Sequence, residues 1–188
     1  MEIEGRYVPP ALLNLPIRSI SRKPIRVIRE NVEEGDQVVD HGAGPGYYTV
    51  KISRIVGPRG VVYAVEPNEA SLNALKRRMR KLGIRNVIPV KESGSHTPSI
   101  KDESIDFLFS NLTLCCLPDH SGAIDEIRRV LKQGASAFIS VNTFGSAGDR
   151  YAVNKEEWND LMKGFKIRKT GNDLIARWVL VSKQRDGM

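Results

Sequence analysis

Cysteine is nearly absent from this chain: the 188 residues hold two, adjacent at Cys115 and Cys116. Two neighbouring thiols supply no disulfide framework, so the pattern points to a reducing cytoplasm. Long apolar runs are missing as well. A stretch such as residues 137–141 falls far short of the ~20 residues of a membrane-spanning helix. The N-terminus, Met-Glu-Ile-Glu-Gly, is acidic and lacks the basic and apolar regions of a signal peptide. No internal repeat, low-complexity block or Gly/Ser linker divides the sequence, and at roughly 150 residues per domain there is room for one. Disorder is excluded by composition, because 40% hydrophobic residues suffice for a packed core. What stands in excess is positive charge. Twenty-nine Lys and Arg against 22 Asp and Glu leave +7 and a pI near 9.5, which raises nucleic acid as a partner.

Four prolines, Pro9, Pro10, Pro16 and Pro24, keep the first 23 residues irregular. Ser21 is placed to cap a helix starting near Pro24, with Ile25, Ile28 and Val32 as its apolar stripe and Gly35 as its limit. From there short β-type runs alternate with helical ones. Strands are predicted at 37–40, 61–65, 87–90, 105–110 and 137–141. Helices are predicted at 47–56, from Asn68 or Ser71 to Gly83, at 122–132 up to Gly134, and at 155–162. Two last β runs, 165–169 and 174–182, meet across Gly171-Asn172-Asp173 as an antiparallel hairpin. Such alternation predicts an α/β fold of right-handed βαβ units: a mostly parallel sheet with helices on both faces. Sheets of this kind bind ligands beyond the carboxyl ends of their strands.

The most informative segment is Val38-Val39-Asp40-His41-Gly42-Ala43-Gly44-Pro45-Gly46. Glycine at three alternate positions allows a tight turn and close approach of a ligand, and the loop opens onto a helix N-terminus. Glu66 follows 20 residues after Gly46, at the end of the second strand, where a carboxylate can accept both hydroxyls of a ribose. A dinucleotide loop, G-x-G-x-x-G, would need glycine at position 47, and Tyr47 stands there. Asp40 would repel a pyrophosphate but attract an ammonium group. A ligand with a cationic amino-acid end and an adenosine end satisfies both, and that ligand is S-adenosylmethionine. A phosphate loop ending in G-K-[ST] is absent.

Residues 39–46 resemble motif I of the class I S-adenosylmethionine-dependent methyltransferases, with Val65-Glu66-Pro67 as the following acidic motif. Residues 104–111 are similar to the family's fourth-strand segment, and residues 127–134 to the helix before its fifth strand. The likeness is greatest to the branch holding the ubiquinone and menaquinone C-methyltransferases. It implies a Rossmann-like seven-stranded sheet with a C-terminal antiparallel hairpin. The whole of 1–188 would be one methyltransferase domain, with 1–34 as a covering segment and helix and 36–182 as the core. It also implies a cofactor site of Asp40, Gly42, Ala43, Gly44, Glu66, Pro67, Ser93 and Asn111.

Departures from the pattern matter. The family's acidic adenine contact after strand three falls here on Ser93 or Gly94, with Glu92 one or two residues away. Leu112-Thr113-Leu114 is not the Pro-Pro-Tyr of enzymes that methylate exocyclic base nitrogens, and no Pro-Cys pair marks a cytosine-C5 enzyme. Ala135 replaces the usual glycine after Gly134. Adjacent Cys115 and Cys116 suit a soft metal or a trivalent arsenical, but the default reading is small apolar residues of the loop after strand four, and the scattered histidines complete no ligand set with them. His120 follows the same strand and is a candidate general base; Tyr47 or Tyr48 is a candidate pocket wall. No catalytic residue is assigned.

Lys76, Arg77, Arg78, Arg80, Lys81 and Arg85 form the densest basic run, opposite Leu72, Leu75 and Met79, which suits a solvated flank. Arg18, Arg22, Lys23, Arg26 and Arg29 lie instead in the segment expected to cover the substrate pocket. The expected acceptor is a small molecule. An RNA methyltransferase, a non-catalytic cofactor- or RNA-binding module and an NAD-dependent oxidoreductase stand as alternatives. Oligomeric state is not legible in the sequence.

Overall fold

Seven short β-branched and aromatic runs form one sheet in the computed structural model, which describes residues 23–143, 149–172 and 176–184. In chain order the elements are α1 (Lys23–Asn31), β1 (Gln37–His41), α2 (Thr49–Val56), β2 (Val61–Val65), α3 (Glu69–Leu82) and β3 (Val87–Val90). There follow β4 (Ile105–Asn111), a 3-10 turn (Leu114–Cys116), α4 (His120–Val130), β5 (Leu131–Asn142), α5 (Lys155–Leu161), β6 (Phe165–Asn172) and β7 (Ala176–Lys183). The strand order is β3-β2-β1-β4-β5-β7-β6. All neighbours are parallel except β7, which runs antiparallel to β5 and β6. The chain leaves β1 outward through β2 and β3, then returns to place β4 on β1's other side. That reversal opens a crevice at the carboxyl ends of β1 and β4.

Alternation along the strands builds two cores, one on each face. Val38, Phe107, Phe109 and Phe138 pack under α1, α2 and α3 through Val27, Ile28, Ile52, Val56, Leu72 and Leu75. Val39, Leu108 and Ile139 face the other way, onto Ile124 and Ile127 of α4 and Trp158 of α5. Full burial of each such side chain stabilises the fold by ~1.5–3 kcal/mol. Aromatic rings continue across the first face: Tyr48–Phe109 at 4.9 Å, Phe109–Phe138 at 5.4 Å and Phe138–Trp178 at 6.0 Å between centroids. Asn68 caps α3 by accepting from the Ser71 N–H (2.9 Å), and Gly83 closes that helix in the left-handed conformation.

The elements fall where the sequence pattern predicts them, and the boundaries move for local reasons. The helix expected over 47–56 starts at Thr49, because the glycine loop continues as turns through Tyr48. α4 begins two residues early, its N-terminus capped by Asp119 accepting from the Gly122 N–H (2.8 Å). It also ends early. Leu131 already pairs with Ile105, so β5 takes in residues expected to be helical, with Gly134 at φ +80° near the register shift beside Ile105 and Phe107. Gly171 and Asn172, expected as a turn, belong to β6. Asp173, Leu174, the capping role of Ser21 and the covering segment before Lys23 lie outside the described residues.

Candidate functional site

The end of β1 is fixed from below. Asp40 is 2% exposed and accepts a hydrogen bond from Thr49 Oγ1 at 2.5 Å, which ties the strand to the first residue of α2 across the glycine loop. From the side, the Gly42 and Ala43 N–H groups both donate to the Val65 carbonyl, at 3.0 and 2.9 Å. Gly42, Gly44 and Gly46 have φ of +76°, +54° and +84°. A Cβ at Gly42 would run into Thr113 and one at Gly46 into Leu75, so protein side chains as well as ligand approach demand glycine there.

Glu66 closes the loop from β2. Its Oε2 accepts the Gly44 N–H and its Oε1 the Asn68 N–H, each at 2.9 Å. Pro67 stands between them, and the chain then turns into the Asn68 cap of α3. Burial pushes the Glu66 carboxyl above its ordinary pKa, opposed by the Asn68 and Gly44 donors. A carboxylate has about four acceptor positions and these contacts fill two. Asp40, Gly42, Ala43, Gly44, Glu66 and Pro67 thus form one hydrogen-bonded cradle at the ends of β1 and β2.

Ser93 and Asn111 lie on the flanking strand ends. Ser93 bridges to His96 in a tight turn after β3, with its hydroxyl 3.0 Å from that of Ser95. Glu92 points elsewhere and accepts from the Ser99 hydroxyl at 2.9 Å. Asn111 Oδ1 accepts from Ser140 Oγ of β5 at 3.1 Å. The chain then bends sharply at Leu112, whose φ is +59°, and Thr113 Oγ1 donates to the His41 carbonyl at 2.6 Å. This brings the loop after β4 down onto Gly42.

With that geometry in hand, a family profile described as a methyltransferase domain matches residues 39–139, from within β1 into β5. The chain belongs to the methyltransferase-domain family. Among its relatives, the ubiquinone/menaquinone biosynthesis C-methyltransferase UbiE of Pasteurella multocida is 28% identical over 57% of this chain and 40% of that protein. The demethylmenaquinone methyltransferase of Geobacillus stearothermophilus is 28% identical over 56% of this chain and 45% of its own length. The chain therefore spans less than half the length of these two relatives. A crystal structure of a SAM-dependent methyltransferase from Aquifex aeolicus superposes with a TM-score of 0.80 at 25% identity, covering 94% of this chain and 99% of that one. The fold is that of the class I S-adenosylmethionine-dependent methyltransferases.

In this methyltransferase domain the cradle offers a ligand a backbone turn open to close approach beside a half-buried carboxylate with unfilled lone pairs. The other residues singled out in the sequence have partners or surroundings of their own. Cys115 and Cys116 donate through sulfur to the Leu112 carbonyl at 3.3 and 3.8 Å, and no group of three or more potential metal ligands occurs among the described residues. Tyr48 is core, while Tyr47 is half-buried under Lys51. His120 is 6% exposed, with Nδ1 2.7 Å from Glu157 Oε1 of α5, and its buried Nε2 has no partner among the described residues. It lines a groove of about 660 Å³ between α4 and α5, together with Asp119, Arg128, Asn154 and Glu157. The residue that sequence reasoning missed is His41, whose ring is fully enclosed. A polar side chain at the end of a buried parallel strand was the available signal.

Proposed function

We propose that this chain acts as one methyltransferase domain that moves the methyl group of S-adenosylmethionine to a small-molecule acceptor in the cytoplasm. The carrying observation is the half-buried Glu66 carboxylate held against the Gly44 N–H at the ends of adjacent strands. In this reading Glu66 accepts the two ribose hydroxyls on its remaining lone pairs. Gly42, Ala43 and Gly44 line the amino-acid end, and Asp40 sets the loop through Thr49. Pro67 and Ser93 flank the adenosine, and Asn111 borders the methionine chain. The sulfonium supplies an electrophilic methyl group. The protein's part is to align it with a nucleophile and to exclude water, so catalysis rests on positioning rather than on an assigned base. The names of the relatives, which concern quinones, support a small acceptor. The basic run of α3 is mostly exposed to solvent.

The test is transfer of labelled methyl from S-adenosylmethionine to separated metabolite, RNA and protein fractions. Label in the metabolite fraction is expected. Label in RNA alone would replace the small acceptor with RNA, and label in none, despite tight cofactor binding, would make the chain a binding module.

A further inference from the structure

The cradle described above accounts for every buried polar side chain at the ends of β1 and β2 except one. His41, the last residue of β1, is 2% exposed, and both of its ring nitrogens are engaged. The Gly94 carbonyl can only accept, so Nε2 carries the hydrogen and donates to it at 2.9 Å. Nδ1 then accepts from the Ser110 hydroxyl at 2.9 Å. One imidazole therefore joins the ends of β1 and β4 to the turn after β3. The fit is steric too: a methyl group on Gly94 would collide with the ring, so position 94 is glycine because His41 fills that space. Three residues on, the same loop is gripped again. Thr97 donates through its N–H (2.6 Å) and its hydroxyl (2.5 Å) to Glu126 of α4.

The strand order says what that turn faces. Moving outward from β1, the carboxyl edge presents the glycine loop, then Glu66 on β2, then the Ser93–His96 turn on β3, in steps of about 4.8 Å. A nucleoside with its ribose on Glu66 and its amino-acid chain on the glycine loop lays its purine over the end of β3. No carboxylate meets it there, because Glu92 is turned to Ser99. The purine edge meets serine hydroxyls and backbone groups instead, whose positions are set by the loop's anchors.

We propose that His41 is a positioning residue for the cofactor's purine, holding the Ser93–His96 turn at the depth where its hydroxyl and backbone groups read the 6-amino edge. The proposal rests on the reading of S-adenosylmethionine as the bound nucleoside. It makes His41 a determinant of cofactor specificity that touches neither the methyl group nor its acceptor.

The experiment compares binding of S-adenosylhomocysteine with its inosine counterpart, in which the 6-amino donor becomes a 6-oxo acceptor. Calorimetry is run on the wild type, His41→Leu, Gly94→Ala and Ser110→Ala. Wild type is expected to prefer the adenosine form by about tenfold, the worth of one or two hydrogen bonds. In His41→Leu and Gly94→Ala the preference should fall to about twofold. Ser110→Ala, which leaves the ring in place and removes only the donor to Nδ1, should fall between, and it carries the test if either of the others does not fold. A merely structural His41 would lower the melting temperature and leave the preference at its wild-type ratio, and that result overturns the proposal. Wild-type protein that binds both nucleosides equally overturns it as well. Wild-type protein that binds neither removes the cofactor reading itself.

Discussion

The carboxyl edge of the sheet has two halves built on different rules. Over β1, β2 and β3, Asp40, His41 and Glu66 each engage a defined partner within a few residues of a strand end. Past the Leu112 bend and the 3-10 turn after β4, toward α4 and α5, the polar groups are partnered less completely. His120 finds Glu157, 37 residues away, its Nε2 is buried without a partner among the described residues, and an open groove lies alongside. The first half is a mould in which each of these polar side chains has its partners. The second leaves a buried ring nitrogen open beside a groove.

The sharpest break between the halves is Glu66→Gln against His120→Asn and Glu157→Gln. Charge-assisted hydrogen bonds contribute ~1.5–3 kcal/mol each, so Glu66→Gln should weaken S-adenosylhomocysteine binding by ~100-fold in calorimetry. The two groove variants should stay within about twofold of wild type. Equal losses on both sides would erase the distinction. Next in size is Gly46→Ala, which combines a positive φ with a collision against Leu75. It should cost about 2–3 kcal/mol in urea unfolding, whereas Gly35→Ala, also at positive φ but with open space around it, should cost about 1 kcal/mol.

Smaller effects test the pH behaviour of the mould's outer anchor. The Arg129 guanidinium, followed by the Thr97 donors, holds the Glu126 carboxyl down at about 2. A carboxyl with a lowered native pKa stabilises the fold above its unfolded value near 4.5, and that stability is lost as pH falls toward 2. Glu126→Gln should remove about 1–2 kcal/mol at neutral pH, after allowance for partial solvent screening, and should flatten the acid limb of the stability curve. Smallest is the contribution of His41. Burial lowers its native pKa below 6.5, against the Gly94 hydrogen bond and the Glu126 charge. The unfolded chain therefore takes up this proton first, and stability declines as pH falls below about 6.5. His41→Leu should lack that decline in thermal melts followed from pH 7.5 to pH 5.5.

The glycine loop and Glu66 are legible in the sequence because their signals are local. Strand period, the glycine spacing and a carboxylate 20 residues on place the cradle within a residue or two. Helix ends were harder: Leu131 through Gly134 reads as the end of a helix, yet pairing with Ile105 and the ion pair of Lys132 with Asp106 (2.6 Å) carry it into β5. His41 escaped because no periodicity announces a ring that reaches Gly94, 53 residues away. The His120–Glu157 contact escaped for the same reason. Composition misled in one respect. The basic run of α3 is mostly exposed on the flank of the fold, so the net positive charge does not name a partner.

The proposal that Gly42, Gly44 and Glu66 take S-adenosylmethionine, and not a dinucleotide, has a plain binding test. Parallel calorimetric titrations of the wild-type chain with S-adenosylhomocysteine and with NAD test it directly. One saturable site for S-adenosylhomocysteine and no measurable heat for NAD are expected; binding of NAD without S-adenosylhomocysteine would overturn the cofactor reading.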